Sequence, residues 1–487
     1  MDLHGDGQRR IKLSSTGGCE EDRLSSLPDD LLRRILRGLP STADAAQTSL
    51  LSRRWVRLWA GIPEIWFPGP AVPGRVHAAL AAYAVHAGPP IHAIHVSILG
   101  AAPADSTTAW LRLAAPLLSG ELSIVSDAPL EDEAVDVETE TISAIELPCL
   151  EKATKIEMRL GCLGLALPGS GVFAKLETLF LKNVLFHGQF ELGDAVSSAR
   201  CPSLRRLTVR GARGVRDLAI SSESLVTVML AHPRGLRRLM VVAPMLEHFY
   251  FSAYNKKKKL TVNIDAPRLG QLKWSGRFEA SFLQRAHLQQ LDTSLCVYGR
   301  YGFLNPHYSI LFRHFEVVSL HLLVMLPPNN VNFYECWMDG ITFLPDVKNL
   351  FLSVASRAHA FGASVFHLLR LCAGIRSLKL KLIHLEGECP LDCTCDQLNG
   401  WESENIILNL LGEAEICGIK GLEHEVVFLM QLFNWATALK RMTISFDPLV
   451  TVSDDLCKEI VSFSRSGTCV EIYLYRDGRR VLFSPVV

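Results

Sequence analysis

The chain has 487 residues, 48% apolar and 21% charged, with Lys plus Arg equal to Asp plus Glu at 50 each. Such a length exceeds what one hydrophobic core usually organises and implies several domains or one elongated repeat array. The balanced charge excludes a net field that would gather nucleic acid or an anionic membrane around the molecule, and thirteen cysteines, an odd number, fit reduced thiols buried as small apolar groups rather than a disulfide framework.

Residues 1–20 carry charges and glycines, without the apolar run that a signal peptide needs, and are read as a disordered tail. The expected location is therefore cytoplasm, nucleus or both. The longest apolar stretch, Val317 to Leu326, is interrupted by Ser319 and His321 and is about half of the ~20 residues a membrane helix requires, so no span is expected.

From residue 21 to 67 the spacing is helical. Leu27-Pro28-Asp29-Asp30 opens a run with Leu31, Leu32, Ile35, Leu36 and Leu39; the proline suits a first-turn position and the aspartates suit the positive end of the helix dipole. Gly38 and Pro40 end that helix. A second helical stretch follows Ser41-Thr42-Ala43-Asp44 and sets Ala45, Thr48, Leu51, Trp55, Leu58 and Trp59 at three- and four-residue intervals, with Arg53, Arg54 and Arg57 on the other face. Helices this short cover one another incompletely, which leaves apolar surface for a partner or for the next domain.

Leu27-Pro28-Asp29-Asp30-Leu31-Leu32, Ile35-Leu36 and Leu50-Leu51-Ser52-Arg53-Arg54-Trp55 with Leu58-Trp59 closely resemble the F-box of plant proteins. The resemblance implies a small helical bundle that docks on a Skp-type adaptor and, through it, on a cullin-based ubiquitin ligase. Carried over by position, Leu27, Pro28, Leu31, Ile35 and Leu51 face the adaptor or support that interface, while Trp55 and Trp59 belong to the core. Gln47 stands where related sequences often carry Arg, a polar change at a surface contact.

Residues 68–90, rich in Ala, Pro and Gly, are read as a connector with an Ala-rich helix between prolines. A template then recurs through 91–385: Leu176-x-x-Leu179-x-Leu181, Leu204-x-x-Leu207-x-Val209, Leu225-x-x-Val228-x-Leu230, Leu246-x-x-Phe249-x-Phe251 and Leu269-x-x-Leu272-x-Trp274. An extra copy starts at Leu236, and later copies start at Val317, Val347 and Ile375. Starts spaced by 225 − 204 = 21, 246 − 225 = 21 and 269 − 246 = 23, then 347 − 317 = 30 and 375 − 347 = 28, fall in the leucine-rich-repeat range. Each copy is a short strand that cannot bury its apolar face until neighbours stack on it.

The expected architecture is α+β: a helical module followed by an irregular α/β leucine-rich-repeat solenoid with a parallel sheet in a horseshoe. An acidic run around Glu131 to Glu140 and a basic run at Lys256 to Lys259 read as solvated loops.

Residues 386–403 form a Cys-containing loop. His384 with Cys389, Cys393 and Cys395 has zinc-ligand types, but the Cys-x-Cys spacing is poor for a tetrahedral chelate, so neither metal nor cofactor is expected. From 404 to 487 a strand, a helix through Glu425 to Phe433 and a strand at Leu439 to Ile444 resemble the FBD region of plant F-box/leucine-rich-repeat proteins, which would cap the open end of the array.

Enzymatic signatures are missing: Gly169-Ser170-Gly171 lacks the preceding glycine of a nucleophile elbow, and His424-Glu425 lacks the second histidine of a metal helix. The resemblance implies a non-catalytic substrate receptor that binds a Skp-type adaptor, through it a cullin, and a protein target, without nucleic acid or membrane. The alternative is a non-degradative scaffold or sensor.

Overall fold

The computed structural model describes residues 26–86, 89–99, 103–126, 144–161, 163–187, 191–252, 260–275, 283–285, 290–296, 318–325, 344, 346–356, 359–386, 398–476 and 478–483. Helices α1 (Asp29–Arg37), α2 (Thr42–Gln47) and α3 (Arg53–Trp59) form the N-terminal module, with a single 3-10 turn at Thr48–Leu50 between α2 and α3. Pro28 is the extended N-cap of α1, Asp29 and Asp30 occupy the first turn and Arg34 and Arg37 the last, so the charges follow the helix dipole at both ends. Ser41 caps α2 by accepting the Asp44 N–H at 3.2 Å. Leu32, Leu36, Ala45, Trp55, Leu58 and Trp59 make the module's own small core, and both tryptophans are buried.

The residues read as a connector have defined structure: β1 (Glu64–Ala71) and α4 (Pro73–Val85). β1 is the outer strand of the main sheet, which is why it tolerates Pro68 and Pro70; the register against the next strand shifts between Phe67 and Pro70. The Trp66 N–H donates to Thr42 Oγ1 at 2.7 Å, and Ala82 of α4 packs on the module's core, so the helical module is tied to the sheet rather than strung from it.

Beyond α4 come β2 (Ile91–Ile98), α5 (Ala104–Ala114), β3 (Leu118–Ser126), β4 (Ala144–Glu146), β5 (Lys155–Arg159), β6 (Gly164–Ala166), β7 (Thr178–Lys182), β8 (Leu185–His187) and α6 (Leu192–Ala195). The middle of the chain gives β9 (Arg206–Arg210), β10 (Asp217–Ser221), β11 (Thr227–Ala231), β12 (Arg238–Val242), β13 (His248–Ser252), β14 (Thr261–Asp265), β15 (Gln271–Ser275), β16 (Leu283–Arg285) and β17 (Gln290–Cys296). The remainder is β18 (Ser319–Met325), β19 (Asn349–Ser356), α7 (Gly362–Leu371), β20 (Ser377–His384), β21 (Glu413–Ile419), α8 (Glu423–Trp435), β22 (Arg441–Phe446), α9 (Asp454–Ser462), β23 (Cys469–Arg476) and β24 (Arg479–Leu482).

The pairings run β1, β2, β3, β5, β7, β9, β11, β13, β15, β17 and then β18 through β23 in one parallel sheet, which the antiparallel β24 completes as its seventeenth strand. In-register rungs carry the repeat template. Leu179, Leu207, Val228, Phe249 and Leu272 form one buried row, and Leu181, Val209, Leu230, Phe251 and Trp274 form the next. Each strand alternates these with outward residues, so one apolar row per repeat becomes a continuous core only on stacking.

Spacing decides what covers the back of the sheet. Where strand starts differ by 227 − 206 = 21 or 248 − 227 = 21 residues, the chain returns through a second parallel sheet, β10-β12-β14-β16. The extra template copy at Leu236 is β12 of this second sheet, with Leu239 and Val241 buried. Where the starts differ by 377 − 349 = 28, 441 − 413 = 28 or 469 − 441 = 28, a helix (α7, α8 or α9) fits the longer return. Trp401, Phe428, Trp435 and Phe366 interlock behind these later strands, with ring centroids 5.2 to 6.3 Å apart.

The FBD-like region supplies strand, helix and strand as β21, α8 and β22, extends the parallel sheet through β23 and closes it with the β23–β24 hairpin. Arg480 lies over the Tyr473 ring at 3.8 Å, and the edge strand is exposed throughout, a charged edge that discourages further pairing. Glu425, 1% exposed, accepts backbone N–H bonds from Lys420, Gly421 and Leu422 at 2.8, 2.8 and 3.1 Å and so satisfies the start of α8. Glu425→Ala orphans these donors and should lower stability by about 2 kcal/mol in urea unfolding; an unchanged midpoint would show that water replaces the carboxylate without loss.

Cys149, Cys201, Cys372, Cys417, Cys457 and Cys469 are free thiols, and Cys201, Cys372 and Cys457 are buried. Burial pushes the Cys201 and Cys372 thiols up to about 12, so both stay neutral, and Cys201 Sγ donates to the Ala195 carbonyl at 3.1 Å. Among the described residues no helix is long and apolar enough to cross a membrane.

Candidate functional site

Two surfaces stand apart from ordinary packing: an apolar patch on the helical module and the open face of the main sheet. On α1, the i, i+4 pair Leu32 and Leu36 turns inward, and the next pair, Leu31 and Ile35, is left 47% and 46% exposed. Leu50 and Leu51, at the turn into α3, are 89% and 66% exposed. Arg54 binds this turn to the start of α1: its Nε and Nη2 donate to Asp29 Oδ1 at 2.9 and 2.6 Å, and Nη2 also reaches the Leu27 carbonyl at 2.6 Å. The pair is partly exposed and adds little to stability, but it holds the two apolar segments together.

Of the residues singled out from sequence, Leu31, Ile35 and Leu51 lie in the patch, Pro28 is exposed at the N-cap of α1, and Leu27 is half-buried against the module's core. Gln47 is exposed. Sequence reasoning passed over Leu50, whose exposure follows from the 3-10 turn; a helix continued through Thr48–Leu51 would have rotated it elsewhere.

On the main sheet the outward rungs alternate with the buried rows. Over β3 and β5 the charges balance: Lys155 Nζ bonds Glu121 at 3.0 Å, and Arg159 Nη2 bonds Glu157 at 2.7 Å and lies 5.3 Å from the centre of the Phe180 ring. Over β20 and β21 Lys379 is paired with Glu415 at 2.8 Å, and on β23 the Tyr473 hydroxyl donates to Glu471 at 3.1 Å. The Lys379 amine shifts up through its bond to Glu415; the Glu415 carboxyl shifts down despite burial, because that bond and the Cys417 thiol outweigh desolvation. Both charges are therefore held at neutral pH.

His384 Nε2 donates to the Gly418 carbonyl at 2.6 Å; Cys389, Cys393 and Cys395 lie outside the described residues, as do the acidic run at Glu131 to Glu140 and the basic run at Lys256 to Lys259. Among the described residues no group of His, Cys, Asp and Glu is arranged to hold a metal ion.

A family model described as "FBD-associated F-box protein At5g56370, LRR repeats" matches residues 108–289. The chain is 23% identical over 462 residues, 87% of this chain and 89% of the other, to an Arabidopsis thaliana protein named for F-box, FBD and LRR-repeat segments, At4g03220. It is 24% identical over 459 residues, 88% and 87% of the two chains, to the Arabidopsis F-box protein At3g59000. The Arabidopsis F-box/FBD/LRR-repeat protein At2g04230 is 26% identical over 239 residues, 46% of this chain and 48% of its own. With its helical module, its stacked Leu-x-x-Leu-x-Leu strands and its strand–helix–strand C-terminal region, the chain is similar, along most of its length, to plant F-box/FBD/leucine-rich-repeat proteins.

Proposed function

We propose that the chain is the target-receiving subunit of a cullin-based ubiquitin ligase. The apolar patch on α1 and the Leu50–Leu51 turn docks on a Skp-type adaptor, and the open sheet face holds the protein to be modified. The carrying observation is the exposure of Leu31, Ile35, Leu50 and Leu51 on a module that already has its own buried core: four large apolar side chains left out of that core are what a docking surface supplies. The chain performs no chemistry in this reading. It contributes proximity, and the tie between β1 and α2 holds the target face at a set angle to the adaptor. The reading also places it in cytoplasm or nucleus.

The test is reconstitution of the full chain with a purified Skp-type adaptor and cullin, read by co-elution on size exclusion. A stable ternary complex is the expected result. A folded chain that leaves the adaptor behind overturns the ligase reading in favour of a repeat-based scaffold.

A further inference from the structure

Between the two ion-paired regions, the outward rungs of β7 through β15 carry cations without carboxylates. β7 presents Thr178, Phe180 and Lys182; β9 presents Arg206, Thr208 and Arg210; β11 presents Thr227, Met229 and Ala231; β13 presents His248, Tyr250 and Ser252; and β15 adds Gln271 and Lys273. Arg159, Lys182 and Arg210 are consecutive rungs of one register, so three like charges sit at strand spacings of about 4.8 Å, an arrangement that costs stability unless counter-charge arrives.

Only Arg159 has a carboxylate partner, Glu157. Among the described residues no ion pair reaches Lys182, Arg206 or Arg210; Arg210 instead donates to Met229 Sδ at 3.0 Å. Glu157 of β5, in register with Phe180, is taken by Arg159; Glu177 and Glu247 stand just before β7 and β13, with Glu247 facing His248 at 3.9 Å, and past β15 Asp292 of β17 is in register with Lys273.

The geometry points to an acidic, carboxylate-rich segment of the target protein as the ligand of this face, laid across β7 to β15. The inference rests on the reading of the sheet as the target-holding surface and gives that target a chemistry. Four inter-strand gaps of about 4.8 Å span roughly 19 Å, the reach of about six extended residues. The carboxylates meet Lys182, Arg206 and Arg210, and side chains between them rest on Met229 and Tyr250. A single-stranded nucleic acid would need free aromatic platforms for its bases. Here Phe180 lies beneath Arg159, and the Tyr250 hydroxyl is engaged with Gln271 at 2.9 Å.

The test is fluorescence anisotropy of the full chain with a labelled peptide of alternating Glu and Tyr, beside a Lys182→Glu, Arg210→Glu variant and a Lys182→Arg, Arg210→Lys control. The wild type and the control should bind, with affinity falling as salt rises, and the reversed variant should bind at least about tenfold more weakly while circular dichroism and adaptor capture stay unchanged. Equal binding by wild type and reversed variant, no binding at low salt, or tighter binding of a single-stranded RNA than of the peptide would each overturn the inference. Should the reversed variant unfold, the control and the salt dependence of the wild type still decide. Peptide binding without adaptor capture removes the ligase reading and leaves the ligand chemistry standing; adaptor capture without peptide binding does the reverse.

Discussion

Leu31→Asp combined with Ile35→Lys is expected to abolish capture of a Skp-type adaptor while leaving the chain folded. Both side chains are about half exposed, so the new charges stay in water, and each sign suits its position: acid in the first turn of α1, base in the last. Helix propensity costs at most about 0.5 kcal/mol per site. Binding suffers far more, because two central apolar anchors lost at about 2 kcal/mol each weaken an interface roughly a thousandfold. Calorimetric titration of adaptor into the variant, with circular dichroism as the fold check, reads both consequences. Retained affinity in a folded variant would show that the patch is not the docking surface. Leu32→Asp, one residue away, is the contrast: Leu32 is fully buried, and its replacement should unfold the module instead.

The second large effect is in the repeat body. Trp274, 1% exposed, stacks on Phe251 of the neighbouring strand with centroids 4.2 Å apart and 24° between planes, and lies 6.3 Å from Phe249. Trp274→Ala empties the largest side chain of the row and should cost about 3–5 kcal/mol. Because each repeat is stabilised by its neighbours, the loss acts on the junction between β13 and β15, and the array should unfold there first. Denaturant unfolding should show the loss as an early transition, with hydrogen exchange rising in β13 and β15 ahead of β21 to β23. A shift below about 1 kcal/mol would mean that the repeats close over the gap.

Much of this was legible in the residues. The Leu-x-x-Leu-x-Leu period identified the strands of the main sheet because alternation along a strand is a local property: Leu179 and Leu181 had to share a face whatever their neighbours did. Caps and breakers at Pro28, Ser41, Gly38 and Pro40 marked the module's helices for the same reason. The copy at Leu236 could not be placed that way, since a strand in the second sheet has the same local pattern as one in the first; only the partner differs. Residues 68–90 looked like a connector because Pro68 and Pro70 deny a central strand, yet an edge strand with a register shift accepts them. Leu50 and Leu51 carry identical side chains, and the turn geometry, not their identity, exposed both.

The sequence by itself determined the helical module, the repeated strands and the strand–helix–strand order at the C-terminus. The tertiary structure decided which apolar residues remained outside the core, and that Lys182 and Arg210, 28 residues apart in sequence, became adjacent rungs with no carboxylate between them. The reason is physical: periodicity fixes the direction of a side chain relative to its own backbone, whereas exposure and charge balance depend on what other segments bring alongside, and stacking alone sets that register.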